Sequence, residues 1–486
     1  MTAFKRKVER FVNLHLDNAP PNINKSKFVH DPLWGTIEIY GHECSILDSP
    51  LLQRLRQIHQ TGFVYATYPS ATHTRFEHTV GVMHIAGRIA NTLRKRHPKD
   101  VNEKTEQRVR LAALLHDVGH SAFSHTSEEI YATRRDLSNL LETGGEFEGK
   151  GAGEVLSYLV VTSNAFRNFF DQIRKHCNIA VAIDEFAPLI LGRADPKKQY
   201  EADIISGPVD ADKLDYFPRD GRSAGIELTV DIERLLHCLS IESEVKDNKQ
   251  YRRMVVRRGG YNAIQQLLFA RATLFASVYH HHKVRACDCM VKAVFEYFGD
   301  KSLKFKKNAA HGGTTLRSAA DFLLLTDHDF FNEAYSHKKG DPAHQLIHDL
   351  LYRRLLKRAL IITRNTVQDF NDDLQKAGTS IDKYQVWVDI PRDPSFRKAG
   401  EAKVNLSSGD GGPRLVQLEK VIPISQWVDT YQHFYAQSFL FGPPDIAIRT
   451  ELARAAITIL KEDFGLELNR DAIAHDLQDK IQLPLA

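Results

Sequence analysis

Cysteine is scarce in this chain. Five residues in 486 (Cys44, Cys177, Cys238, Cys287 and Cys289) are too few and too scattered for a disulfide framework, so all are expected to be reduced. The closely spaced CDC at 287–289 has the wrong spacing for a zinc knuckle and reads as ordinary helix positions. No apolar run of about 18 residues is present to cross a bilayer. The opening MTAFKRKVERFVNLHLDN carries charges throughout, unlike a secretory signal. A cytoplasmic location with no membrane partner is expected. Charge of one sign is also not in excess: the net value of +4 gives no ground for predicting nucleic acid as a partner. RRMVVRR (252–258) and KSLKFKK (301–307) are local basic clusters, read first as solvated faces and second as phosphate contacts. Internal repeats are missing as well.

What the chain does have is helical periodicity and histidine. Residues 1–26 read as a polar leader with one short helix, ending in the turn-prone NAPPNINKS. VHDPLWGTIEIY reads as a turn feeding a half-buried hairpin. SPLLQRLRQIHQ opens with a Ser-Pro cap signal. TRFEHTVGVMHIAGRIANTLRKRH is about six turns, and its Gly81, Ala86 and Gly87 allow a close neighbour. EQRVRLAALLHDVGH is a buried helix that the Gly119 step should end, and GGEFEGKGAGEV is a Gly-rich loop. Further helices are expected over 155–177, 181–192, 198–219, 231–238 and 260–299, the last as one helix or two. Beyond about 365, YQVWVDIPRD and RLVQLEKVIPI alternate like strands and TELARAAITILKEDFG closes as a helix. The expected fold is therefore mainly α, with a leader (1–26), a helical body (27–365) and a small C-terminal α+β lobe (366–486).

Histidine number alone says little, because His-Asp occurs at 30, 116, 328, 348 and 475 among 23 histidines. Context singles out His116-Asp117. The pair follows the apolar run LAALL, where an unpartnered carboxylate would be expensive. A divalent metal removes that cost, and a buried His-Asp hydrogen bond is the alternative. His78, in the first turns of its helix, can approach a neighbouring helix. Asp212, Tyr216 and Asp220 recur every four residues and share a face. Two histidines with two aspartates suit Mn, Fe, Ni, Co or Zn without choosing among them.

THTRFEHTVGV, LLHDVGHSAFSH and VDADKLDYFPRD, in that order, resemble the successive blocks of the HD-domain phosphohydrolases. Within that superfamily the likeness is to the deoxynucleoside triphosphate (dNTP) triphosphohydrolases, both dGTPase-like enzymes and those with sterile-alpha-motif and HD domains. VHDPLWGTIEI, LDSPLLQRLRQIHQTG, YPSATHTRFEH, DYFPRDGRSAGI and YHHHKV extend the resemblance from about residue 27 to at least 360. It implies an HD-domain helical bundle as the catalytic core. His78, His116, Asp117 and Asp212 become the metal ligands, with Mg accompanying the nucleotide phosphates. The implied reaction is hydrolysis of a dNTP to deoxynucleoside and triphosphate. His120 and His125 fall near the phosphate, with Glu128 orienting His125 as a general acid; a purely structural hydrogen bond is the alternative. Arg75 and Lys213 would hold phosphate oxygens. Tyr216 would lie against the deoxyribose, Gln60 and Asp220 at the sugar, and Tyr279 beside them in one of two registers. Lys27, Asp48, Gln53 and Arg56 match positions that grip an activating nucleotide between subunits, although QRLRQ equally suits a salt-bridged surface. A homo-oligomer is implied in the same way.

Three departures accompany the resemblance. Glu128 stands where the family has aspartate, and HSAFSH has serine and alanine where Gly or Pro is usual. A His-Glu pair that follows the HD block has no evident counterpart, since no histidine occurs between His125 and His176. Two further readings remain open: an HD phosphodiesterase or nuclease acting on another nucleotide or single-stranded DNA, and a nucleotide sensor without turnover. The triplet His280 to His282 reads as core and surface positions, because a helix aims consecutive residues apart.

Overall fold

Helix Arg75–Arg96 is the axis of the molecule. It starts where Glu77 accepts hydrogen bonds from the Thr74 amide and hydroxyl, and it ends on Arg94, Lys95 and Arg96, whose charges suit a helix C-terminus. Helices Glu103–Leu115 and Ala211–Ser223 pack along it. The small residues permit this, as expected: a Cβ on Gly81 would lie 2.0 Å from Asp215 Oδ1, and one on Gly87 2.8 Å from Arg110 Nη1. Charges inside the bundle are paired. Arg108 makes a two-bond contact with Glu201, and Arg110 does the same with Glu43.

The structure is a computed structural model that describes residues 2–16, 25–246, 248–300, 305, 315–333, 340–363, 383–390, 403–406, 415–424, 426–427 and 437–483. Most of the turn-prone NAPPNINKS and, apart from Phe305, the KSLKFKK cluster lie outside the described residues. So does the expected boundary at 365/366. Among the described residues no helix is long and apolar enough to cross a membrane.

The fold is mainly α, as expected, with several local differences. The leader is part of the body: helix Ala3–Leu16 buries Phe4, Val8, Phe11, Val12 and Leu16 in the main core, an apolar stripe at helical spacing. The hairpin at VHDPLWGTIEIY is present as β1 (Lys27–Asp31) and β2 (Gly35–Ile39). The helix expected over SPLLQRLRQIHQ is a short α-turn, Pro50–Gln53, followed by a 3-10 turn, Arg54–Gln57. It stops because Ile58 and Gln60 are drawn into backbone bonds with Arg75 and His73. Helix Glu103–Leu115 ends before Gly119. The need for glycine there is close approach, since a Cβ would lie 2.3 Å from the Ser157 amide. The 260–299 stretch is two helices, Tyr261–Leu274 and His282–Asp300, joined by a π-turn at Phe275–Tyr279.

The RRMVVRR cluster is not a solvated face. It belongs to an unforeseen hairpin, β3 (Leu239–Lys246) and β4 (Lys249–Arg257). Arg252 and Arg253 pair with Asp100 and Asp203 at 2.5 and 2.9 Å, so one turn carboxylate and one helix carboxylate neutralise a strand that looks too charged to be one. The C-terminal strands interleave with the body. β7 (Lys403–Asn405) adds parallel to β4, and β8 (Leu415–Gln417) pairs with β7. A second sheet has the order β5-β9-β6, with β5 at Lys357–Thr363, β6 at Trp387–Asp389 and β9 at Gln437–Gly442. Helix Ile446–Glu462 packs on β5 and β9.

Candidate active site

The apolar run LAALL ends its helix at Leu115, and His116 is the C-cap. His116 and Asp117 thus emerge at the negative end of a helix, where a cation is favoured. His78 comes from the second turn of helix Arg75–Arg96, and Asp212 from the first turn of helix Ala211–Ser223. One ligand atom from each of His78, His116 and Asp212 lies within 4.8 Å of the others. Asp117 sits beside this trio, with its carboxylate oxygens 3.7 Å from His78 Nε2 and 3.4 Å from His116 Nε2. Its Oδ2 is bonded to Arg75 Nη1. Three of the four predicted ligands therefore converge, and the fourth is shared with an arginine.

The residues present fit a divalent metal. His78 Nδ1–H donates to Asp215 at 2.9 Å and His116 Nδ1–H to the Ala113 carbonyl at 2.7 Å. These bonds turn the Nε2 atom of each ring toward Asp212, whose Oδ1 lies 3.0 Å from His78 Nε2 and 3.8 Å from His116 Nε2. Burial opposes charge on His78, but Asp212 and Asp215 outweigh it and hold its pKa at about 10. So strongly negative a position attracts a cation, and its mixed nitrogen and oxygen donors suit a transition metal.

A cleft of about 1080 Å³ opens over this trio. His116, Asp117 and Asp212 line its floor; His78 lies just beneath. All the predicted phosphate, sugar and acid residues line it: Gln60, Arg75, His120, His125, Glu128, Lys213, Tyr216, Asp220 and Tyr279. Arg75 Nε donates to Ser124 Oγ at 2.8 Å, while its Nη2 is buried without a partner. Lys213 Nζ is held by Asp210 at 2.5 Å and by the Gly207 carbonyl at 2.9 Å. His125, with a side chain 74% exposed, bonds Glu128 through Nδ1 at 2.8 Å. Burial works against the Glu128 charge, yet His125, His120 and the Gly153 amide hold its carboxyl far below the ordinary range. Asp220 accepts from His73 Nε2 at 2.7 Å and from the Tyr279 hydroxyl, and burial keeps the Tyr216 and Tyr279 phenols neutral.

The HSAFSH turn follows the cleft edge. Ser121 donates to the Phe322 carbonyl at 2.7 Å. Phe123 and Ser124 both sit at φ 55, a strained conformation for non-glycine residues. It is held by the Phe123 amide on Asp327 (2.7 Å) and the Ser124 hydroxyl on the His59 carbonyl (2.5 Å). Where the His-Glu pair was sought, the chain offers Gly153 and Glu154 at the start of helix Ala152–Val161. His120 fills the space above Gly153, with its Cε1 2.6 Å from where a Cβ would be.

Lys27, Asp48, Gln53 and Arg56 lie away from the cleft. Lys27 pairs with Asp48 at 2.5 Å, Arg56 bonds Gln53 at 2.9 Å, and Arg56 lies 3.6 Å over the Phe76 ring. All five cysteines are free. His280 turns into the cleft, whereas His281 and His282 stack on each other. Sequence reasoning missed Asp215, His73, Arg54, Arg271, Arg285 and Asp288. Arg54 holds the Val118 and His120 carbonyls at 2.9 and 2.7 Å, and the other five bond to site residues or line the cleft. A usable signal existed for Arg271 and Asp288, which are charges set in apolar helical runs.

Comparison with known proteins agrees with this geometry. Residues 75–219 match the HD domain, and residues 230–461 the HD associated region. An uncharacterized protein of Methanocaldococcus jannaschii is 33% identical over 282 residues, covering 58% of this chain and 52% of that protein. The deoxynucleoside triphosphate triphosphohydrolase SAMHD1 of Homo sapiens is 27% identical over 378 residues, covering 72% and 56%. Its Bos taurus counterpart is 30% identical over 331 residues, covering 64% and 54%. The chain spans about half the length of these relatives. The chain thus contains an HD domain, which carries the His78, His116 and Asp212 trio, with an HD-associated region behind it.

Proposed function

We propose that the protein is a metal-dependent dNTP triphosphohydrolase, cleaving a dNTP to deoxynucleoside and inorganic triphosphate. The observation that carries this reading is the convergence of His78 and His116 Nε2 on Asp212 at the base of a nucleotide-sized cleft. Resemblance to dNTP triphosphohydrolases supports the substrate class. His78, His116 and Asp212 would hold the metal, with Asp117 as a fourth ligand once Arg75 turns to phosphate. A bound divalent cation would supply Lewis-acid activation of water and of the phosphoryl group.

The chain's own residues supply the rest. Arg75 offers a free Nη2 to the triphosphate, and Lys213 adds a point charge pre-set by Asp210. The Tyr216 ring forms a wall against the sugar, where a 2′-hydroxyl would be crowded. Asp220, pinned by His73 and Tyr279, faces the sugar hydroxyl. When the bond between the α-phosphorus and the 5′-oxygen breaks, that oxygen needs a proton. His125, oriented by Glu128, is placed at the cleft edge to donate it. An activating nucleotide at Lys27, Asp48, Gln53 and Arg56 and a homo-oligomeric assembly belong to the same proposal.

The test is product analysis. Each dNTP and rNTP is incubated with Mn or Mg, singly and in mixtures, and the products are separated. Triphosphate and deoxynucleoside are expected from dNTPs alone, and none from a His116→Ala, Asp117→Ala double variant. Pyrophosphate, monophosphates or shortened DNA would point to the phosphodiesterase or nuclease reading, and tight binding without turnover to a sensor. Cleavage of mixtures but not of single nucleotides would support activation.

A further inference from the structure

Asp215 has no exposed surface and touches no cleft space, yet it is among the most heavily bonded side chains in the protein. Its Oδ1 accepts from Trp34 Nε1 at 2.6 Å and from Arg219 Nη2 at 2.9 Å. Its Oδ2 accepts from Arg219 Nε at 2.8 Å and from His78 Nδ1 at 2.9 Å. A carboxylate has about four lone-pair sites, and all are used, so this one cannot rotate. Arg219 is fixed in turn, with Nη1 3.0 Å from Asp31. Asp31 also accepts from the Leu33 and Trp34 amides, at 2.8 and 2.9 Å, which shapes the β1–β2 turn and delivers Trp34. Gly81 leaves room for the whole arrangement, because any Cβ there would strike Asp215.

A purely structural ion pair would be complete at Arg219. This chain of bonds instead runs on to an imidazole whose other nitrogen is buried and points at Asp212, 3.0 Å away, within the His78, His116 and Asp212 trio. We infer that Asp215, locked by Arg219 and Trp34, is a positioning residue that fixes the His78 tautomer and strengthens Nε2 as a metal donor. The inference rests on His78, His116 and Asp212 being metal ligands. The ladder Asp31, Arg219, Asp215 carries one net negative charge behind the ring, which favours a dication in front of it. Carboxylates in this position commonly change metal affinity by about 10–100-fold.

Cobalt(II), added to the 486-residue chain and followed by its visible absorption and by chelator competition, reads both affinity and ligand geometry. Asp215→Asn keeps the size and drops the charge. It should weaken cobalt binding by about 10–100-fold, shift the absorption bands and leave one ion per chain. Trp34→Phe releases only Oδ1 and should give a smaller loss of affinity with the same band shift, and it serves if the first variant does not fold. Arg219→Lys, retaining the charge, should recover most of the affinity that Arg219→Ala loses. His116→Ala should abolish binding. Parent-like affinity and spectrum in Asp215→Asn, or in Trp34→Phe where only that variant folds, would overturn the inference while leaving the metal site standing. A parent chain that takes up no cobalt would sink the metal site and the inference together.

Discussion

Gly153 has no room for a side chain, and this decides how His120 is held. The ring lies on the glycine, its Nε2 is 3.3 Å from Asp117 Oδ1, and the Gly153 amide donates to Glu128 at 2.9 Å. Burial and the nearby Arg75 push the His120 pKa down, so the ring is neutral. Gly153→Ala should displace His120 and loosen Glu128, at an overpacking cost of about 1–3 kcal/mol. A fall in kcat of about 100-fold or more is expected, the scale of a lost acid-base contribution, with an unchanged circular dichroism spectrum; parent-like kcat would mean His120 is not needed where it lies. His84 is a second single-residue test, through stability. Burial, with Arg88 and Arg110 adding to it, lowers its pKa to about 4. Between pH 4 and 6.5 the folded ring therefore binds fewer protons than the unfolded one, and stability rises with pH across that window. The contribution is complete above the unfolded value and is lost as pH falls toward 4. Melting temperatures from pH 4 to 7.5 should fall less steeply on the acid side for His84→Gln than for the parent.

At the scale of elements, legibility followed the source of each element's stability. Helix Arg75–Arg96 was readable because its own residues decide it: a capping box, apolar spacing, small contact positions and a basic last turn. Asp212, Tyr216 and Asp220 were readable as one face because that face is a property of a single helix. The β3–β4 hairpin was not, since Arg252 and Arg253 look soluble until Asp100 and Asp203, far away in sequence, are seen to neutralise them. The same holds for Asp215, whose role depends on Trp34 and His78 arriving from elsewhere. SPLLQRLRQIHQ has a helical pattern that tertiary backbone pairing overrides. Long-range charge pairs therefore join elements that local pattern leaves separate, and breaking one should be costly. Glu201→Ala would leave Arg108 buried and without its two-bond partner, although Glu185 stands 3.6 Å away. A loss of about 3–5 kcal/mol is typical of a buried pair broken on one side. Urea unfolding should show a lower midpoint, and Arg108→Met with Glu201→Leu should recover part of it; a single variant as stable as the parent would remove the pair from the list of helix fasteners.

At the scale of the whole molecule, β9 joins the C-terminal region to the body. Its side chains alternate between two cores. Phe439 and Phe441 are buried in the main hydrophobic cluster, while Leu440 lies in the smaller one with Leu360, Leu452, Ala456 and Leu460. A strand with both faces buried cannot leave one core without disturbing the other. β7 reinforces the join by adding to β4, and Val404 enters the main cluster. The region expected as an appended lobe should therefore melt with the helical body and not before it. Truncating a buried phenylalanine costs about 3–5 kcal/mol and a buried leucine about 2–5 kcal/mol. Calorimetry on the parent should show one transition, and Phe441→Ala and Leu440→Ala, although they empty different cores, should both move that one transition to lower temperature. Two separable transitions, with Leu440→Ala shifting only the earlier, would show that the small core folds by itself and that β9 is a tether between independent units.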